Sequence, residues 1–362
     1  MERVYNFSAG PSMMPVEVLE EIKNDMLNYK GIGYSILEMN HRTQPYYDIN
    51  NESRELLKKL MGLGDDYEVI FLSGGATSQF TMIPMNLAKN EDTTLYALTG
   101  NFANKAYEEG KRFTNAKVIA STKDTNYDHI QKITKDMVDQ NAKYLHITVN
   151  NTAFGTAYSE APDTGNVPLV GDMSSIILAK EYDFKKFSVI YAGVQKNIGP
   201  AGVTAVIIRK SLITDDVREQ IPVMYQYKLN AEKDSIYNTP PVFSVYVLGL
   251  MCKWVEKQGG IKALEKRNVE KAKKIYDIID NSKLYKGTVV NKEDRSPMNV
   301  TFTLPTDDLT KKFIEDAKAE GMINLKGHKA AGGVRASLYN AMPIEGVNKL
   351  AEFMQKFEKD NK

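Results

Sequence analysis

The sequence is poor in the residues that most often build metal and thiol sites. Its 362 residues contain one cysteine, Cys252, one tryptophan, Trp254, and four histidines. A lone cysteine excludes an intramolecular disulfide and any thiol-rich metal site. His41, His129, His146 and His328 stand at no helical spacing from one another and beside no acidic cluster, so no metal site is expected. Charge of one sign is also lacking, since 47 Lys+Arg against 46 Asp+Glu leave a formal +1. Broad binding of a polyanion needs a basic surplus, so nucleic acid is not an expected partner. The longest apolar run, Val242 to Cys252, is about half of the roughly 20 residues that span a bilayer. The opening MERVYNFSAGPSMMP carries no signal or transit pattern. A cytoplasmic location, away from membranes, is the expectation.

The remaining composition, 42% hydrophobic and 26% charged, is that of a folded globular chain able to bury a large core. Its length suggests two domains. Short apolar runs recur at Tyr67–Leu72, Thr94–Leu98, Lys117–Ala120, Tyr144–Val149, Pro168–Val170, Ser188–Tyr191 and Val203–Ile208. Several are separated by helical stretches, a pattern that predicts an α/β fold with a mostly parallel seven-stranded sheet. Only Ala192–Gly202 separates the last two runs, too little for a crossover helix, so that connection is expected to be antiparallel. Helical patterning follows from Val242, broken at Gly259-Gly260. A strand-helix-strand-helix pattern from Met298 to Phe357 then suits a smaller C-terminal α/β domain. The expected division is a large domain over 16–260 and a small one made of 1–15 with 261–362.

Three segments carry chemistry. In YAGVQKNIGPAGVT, 191–204, glycines and a proline frame Lys196, so a ligand can approach the backbone closely and the amine can lose solvation. Lys196 is thus a Schiff-base candidate, against the alternative of a solvated surface lysine. VGDMSS, 170–175, ends a strand on Asp172 at a place where α/β sheets bind ligands. Asp172 suits a protonated pyridine nitrogen, or else an N-cap contributing about 0.5–2 kcal/mol. FLSGGATSQF, 71–80, reads as strand, glycine turn and helix start, a cradle for phosphate or a turn shaped only for geometry. Farther on, GHKAAGGVRAS holds His328, Lys329 and Arg335, and Arg335 can fork a carboxylate or pair on an exposed strand. His129 and His146 have no such company and read as structural.

Together these segments resemble the fold type I, class V pyridoxal phosphate-dependent aminotransferases, and among them the phosphoserine aminotransferase family, from end to end. The motifs that carry the resemblance are NFSAGPSMMP at the start, MNHRT at 39–43, SGGATSQF at 73–80, TGNFANKA at 99–106, NNTAFGT at 150–156, DMSS at 172–175, the Lys196 loop, YNTPP at 237–241 and GHKAAGGVRASLYNA at 327–341. The resemblance implies pyridoxal 5'-phosphate as cofactor, bound covalently by Lys196, with Asp172 on its ring nitrogen. Ala76, Thr77, Thr152 and Gln195 would also hold it. Asn238 and Thr239 would reach the phosphate from a neighbouring subunit, which implies a homodimer with shared active sites. Arg335 would take the substrate α-carboxylate, and His41, Arg42, His328 and Lys329 its outer anionic end. Two positions depart from the family: Phe102 stands where a tryptophan usually stacks on the cofactor, and Lys329 where arginine is common. The implied reaction moves an amino group between glutamate and 3-phosphohydroxypyruvate, giving phosphoserine for L-serine synthesis. A second activity, on the phosphorylated hydroxythreonine intermediate of vitamin B6 synthesis, is the related option. Rival readings are another class V transaminase on an unphosphorylated 2-oxo acid, or a non-catalytic phosphometabolite binder, which would not need a lysine opposite an acid.

Overall fold

The computed structural model describes residues 3–216 and 218–361. Its strands are β1 (Tyr5–Asn6), β2 (Tyr67–Leu72), β3 (Thr93–Leu98), β4 (Asn115–Ser121), β5 (Leu145–Thr148), β6 (Leu169–Asp172), β7 (Val189–Gly193), β8 (Thr204–Arg209), β9 (Lys286–Gly287), β10 (Asn299–Thr303), β11 (Met322–Ile323) and β12 (Val334–Ser337). Its helices are α1 (Val16–Asp25), α2 (Gln44–Leu60), α3 (Gly75–Leu87), α4 (Asn101–Gly110), α5 (Tyr227–Glu232), α6 (Val242–Lys257), α7 (Gly260–Asn281), α8 (Asp307–Ala319) and α9 (Ile344–Asp360).

Seven strands form the main sheet in the order β2-β8-β7-β6-β5-β3-β4. All neighbours are parallel except where β8 runs against both β7 and β2, as the short Ala192–Gly202 connection requires. Strands β5, β6 and β7 are buried at every residue. That explains their unbroken Val/Ile/Leu character: a strand covered on both faces has no polar alternate. One face packs on α2 and α6, whose apolar residues join Leu145, Ile147, Leu169, Ile190 and Ile207. The opposite face packs beneath α3 and carries Tyr96, Tyr144, Val170, Val189, Tyr191 and Val206. Helix α2 buries Tyr46, Ile49, Asn50, Ser53 and Leu57, a stripe at helical spacing.

A second apolar cluster lies among α8, α9 and the antiparallel sheet β12-β10-β9, and Phe7 joins it. Helix α7 serves both: Ile261 and Leu264 belong to the first cluster, Ala272, Ile275 and Ile279 to the second. The N-terminal segment also crosses between them. Strand β1 pairs with β11, and farther on Ser12 Oγ donates to the Lys196 carbonyl at 2.6 Å.

One local expectation fails. Residues after Asp172 suit a helix start, yet 174–179 form successive turns, and Leu178 has a left-handed φ of 56°. The cause lies far away in sequence. The carbonyls of Ile177, Leu178 and Ala179 accept side-chain amides from Asn197, Asn340 and Asn268, which replace the helical ladder.

Lys271 is 3% exposed and donates to the carbonyls of Leu338, Tyr339 and Met342 at 2.8, 2.8 and 3.2 Å. Burial pulls its pKa down to about 7, while three carbonyl acceptors suit the three N–H groups of the ammonium form. Lys271→Met keeps the apolar stem and orphans these carbonyls. It should cost about 1–3 kcal/mol, seen as a lower urea midpoint at pH 7. An unchanged midpoint would mean that the turn after β12 does not depend on this lysine.

Candidate active site

The site lies at the carboxyl ends of β5, β6 and β7, where a parallel sheet opens a crevice. Asp172 is the last residue of β6 and pairs in register with Thr148 and Tyr191. It is 5% exposed, and one carboxylate oxygen accepts the Ser174 N–H at 2.9 Å. The capping contact foreseen for Asp172 is therefore made, but to a turn rather than a helix.

Beside Asp172 are two residues whose role the sequence does not reveal. Tyr191 bonds His146 Nε2 through its hydroxyl at 2.9 Å, and the imidazole lies between the Tyr96 and Tyr191 rings, tilted 31° to each. Burial drives the His146 pKa down to about 4 and keeps the ring neutral, against the opposing pull of the Asp172 carboxylate. His146 Nδ1 is buried with no partner. His146 remains a core histidine, as expected, but its core position is under the site. The only hint in sequence is the strand alternation that puts positions 146 and 148 on one face.

The loop after β7 delivers Lys196. Its Nζ donates to Thr152 Oγ1 at 2.8 Å and stands 4.8 Å from the centre of the Phe102 ring. Thr152 in turn donates to Ser175 Oγ, and Asn150 Nδ2 links Ser175 to Asn299 on β10. The Lys196 pKa is lowered to about 8, chiefly by desolvation and further by Arg335, with Asp172 opposing. Gln195 lies on the same loop, and its carbonyl accepts the Ser12 N–H.

Arg335, on β12, reaches this place from the second cluster. Its Nη1 approaches the Thr152 carbonyl at 3.5 Å, and its Nε is buried without a partner. Among the described residues no carboxylate pairs with it. The salt-bridge alternative therefore falls away, and a desolvated guanidinium faces the crevice. His328 sits on the loop before β12, where Gly327 must be glycine because a Cβ would collide with the Gly332 carbonyl. The Ala330 N–H donates to His328 Nδ1, which leaves the neutral ring its proton on Nε2. The His328 ring lies 6.3 Å from Phe102, whereas Lys329 is exposed on the loop.

At the start of α3, Gly74 and Gly75 have φ of 104° and 67°, and no side chain caps the helix. Its first amides, at Ala76 and Thr77, are thus free for an anion. Asn238 lines a small cavity with Gly74 and Ser78 of the same chain, and Thr239 is exposed beside it. His41 and Arg42 lie in the turn just before α2. No hydrogen bond, ion pair or ring contact among the described residues joins them to Lys196, His328 or Arg335. Arg42 is exposed, and His41 Nε2 is buried and unpartnered. Cys252 is fully buried in α6, and burial raises its thiol to about 12, so it takes no part.

The aminotransferase class-V family matches residues 4–350. The chain belongs to the class-V aminotransferases. The phosphoserine aminotransferase of Lysinibacillus sphaericus is 49% identical over 358 residues, 99% of this chain and 98% of that one. Phosphoserine aminotransferase from Bacillus circulans subsp. alkalophilus superposes with a TM-score of 0.96 at 42% identity and covers 100% of both chains. The PLP-bound phosphoserine aminotransferase from Trichomonas vaginalis gives 0.92 at 33% identity, covering 98% of this chain and 100% of that one. This class-V aminotransferase has a site that fits pyridoxal 5'-phosphate: an uncapped helix start for the phosphate, an acid at a strand end for the ring nitrogen, and a desolvated lysine for the aldehyde. Among the described residues no helix is long and apolar enough to cross a membrane.

A pKa near 8 leaves about a tenth of Lys196 as free amine at pH 7, roughly 300-fold more than for a solvated lysine. In cofactor-free protein, reductive methylation of Lys196, followed by peptide mass spectrometry, should rise with pH to a half-maximum near 8 and then level off. A rate still climbing through pH 10, like that of surface lysines, would show that the crevice does not desolvate the amine.

Proposed function

We propose that this chain is a phosphoserine transaminase, moving an amino group between glutamate and 3-phosphohydroxypyruvate in L-serine synthesis, with Lys196 and Asp172 as its catalytic pair. The observation that carries this reading is a desolvated lysine and an uncompensated arginine turned toward one crevice behind a buried acid. Bound pyridoxal 5'-phosphate supplies an electron sink for the bond broken at the substrate Cα. Ala76 and Thr77 would hold its phosphate on their amides. Thr152, Gln195 and Phe102 would flank its ring, Phe102 with a smaller face than tryptophan offers.

The residues then divide the work. Asp172, fixed by the Ser174 amide, keeps a proton on the ring nitrogen, and neutral His146 behind Tyr191 adds no competing charge. Arg335 takes the α-carboxylate in a forked pair, which fixes the Cα–H bond toward Lys196. The amine of Lys196, with its pKa lowered toward 8, would accept the α-proton on Nζ in its uncharged form and deliver it to the carbon on which the released electron pair comes to rest. Thr152 accepts a hydrogen bond from that Nζ and so sets its direction.

A homodimer completes the reading. Among the described residues neither His41-Arg42 nor Asn238-Thr239 bonds to Lys196, His328 or Arg335, and each pair is flanked by exposed apolar side chains. Leu37 and Tyr47 accompany the first pair; Met224, Tyr225 and Tyr237 accompany the second. Exposed apolar groups of this kind mark contact surfaces. In the dimer each pair would serve the partner's crevice: Arg42 and His41 at the outer end of the substrate, Asn238 and Thr239 at the cofactor phosphate.

Lys196→Ala should lower transamination by at least about 10⁴-fold while circular dichroism stays unchanged. Wild-type holoenzyme should be yellow and bleach on adding glutamate, and the variant should not respond. Mixing Lys196→Ala with inactive Arg42→Ala subunits should restore up to about a quarter of wild-type activity, because one crevice of each hybrid keeps both residues. Turnover retained in Lys196→Ala would overturn the catalytic assignment, and absence of rescue would overturn the shared site.

A further inference from the structure

Phe102 is the meeting point of three basic groups. Lys196 Nζ lies 4.8 Å from its ring centre, Lys105 Nζ 5.7 Å, and the His328 ring 6.3 Å. Lys196 and His328 already have roles. Lys105 has none.

Its placement follows from the helix. Lys105 stands three residues after Phe102 on α4, so the two side chains share a face. Helix α4 is held toward the loop that carries His328. Asn104 donates to the Tyr127 hydroxyl, Tyr127 packs edge-on against Phe154, and Ala331 rests on that pair. Phe102 thus has Lys105 on its own helix and His328 on the facing loop. Burial first, and then Arg335, Lys105 and Lys196, lower the pKa of His328, so these charges lie near it.

The acids that would normally neutralise such a lysine are engaged elsewhere. On the same helix Glu108 pairs with Lys111, and Glu109 with Arg112. Among the described residues no carboxylate pairs with Lys105, Lys329 or Arg335. Lys105 and Arg335 therefore stand near His328 as uncompensated positive charges, whereas Lys329 lines a separate cavity with Asp307 and Glu315 of α8. A phosphorylated 2-oxo acid carries 2 + 1 = 3 negative charges, with the phosphate a dianion, one more than a dicarboxylate such as 2-oxoglutarate, and so gains more from an added lysine. A lysine ammonium, unlike a planar guanidinium, is a point charge that suits a tetrahedral phosphate from any direction.

We propose that Lys105 is a specificity residue that holds the phosphate end of the substrate whose α-carboxylate lies on Arg335. This deepens the transaminase reading and rests on it. The test uses holoenzyme carrying Lys105→Met or Lys105→Arg. The readouts are kcat and KM with O-phosphoserine and with glutamate, and calorimetric binding of inorganic phosphate. Lys105→Met should lower kcat/KM for O-phosphoserine about tenfold, mostly through KM, and for glutamate only about twofold. It should weaken phosphate binding about tenfold, and Lys105→Arg should recover most of both losses. Equal losses on the two substrates, or unaltered phosphate binding, would overturn the assignment while leaving the transaminase reading intact. A wild-type enzyme that fails to prefer O-phosphoserine over serine would overturn the substrate reading, and this inference with it.

Discussion

Desolvation of positive charge is the constraint on which the site depends. Removing an ammonium or guanidinium from water is costly unless something replaces the lost hydration. At Lys196 the replacement is incomplete: one threonine hydroxyl and the field of Asp172 leave the amine poised near pH 8. At Arg335 it is poorer still, with an orphaned Nε and one long contact to a carbonyl. Both groups would gain from the dianionic cofactor and carboxylate substrate proposed for this site. The apoprotein thus carries a cost that binding relieves, which gives the pocket its affinity for anions with no surplus of charge over the whole chain.

The scaffold around these charges is rigid because it is polar in an ordered way. From Lys196 a line of hydrogen bonds runs through Thr152, Ser175, Asn150 and Asn299 to Ser337 on β12, two residues beyond Arg335. Buried networks of this kind are stable only when nearly every member is satisfied. In this one Asn150 Oδ1 is left without a partner, and the line ties the lysine from one core to the strand that carries the arginine from the other. Asn197, next to Lys196, and Asn340 extend the same logic to the turn behind Asp172, where side-chain amides displace a helix.

Much of the fold was legible in the chain. Strands β5 to β7 announce themselves as unbroken apolar runs because they are buried on both faces, and the short link before β8 already forces its antiparallel direction. Lys196, Asp172 and the glycine turn before α3 were legible for a different reason: glycine and proline framing leaves few uses for a polar residue at that point. His146, Tyr191 and Lys105 left no such trace. A tyrosine inside an apolar run looks like core, a histidine on a strand looks structural, and one lysine among 47 basic residues looks solvated. What distinguishes them is proximity across strands and between α4 and a loop more than 200 positions later.

The sequence by itself determined the alternation of strands and helices and singled out the lysine and the acid proposed as the catalytic pair, because backbone geometry and local framing are encoded within a few residues. Only the tertiary structure decided which charges stay unpaired. Whether a carboxylate neutralises Arg335 or Lys105 depends on neighbours distant in the chain, and electrostatic energy depends on distance and solvent exclusion rather than on sequence separation. It also decided that Asp172 ends in a turn, since the amides that unwind the expected helix come from positions 197, 268 and 340.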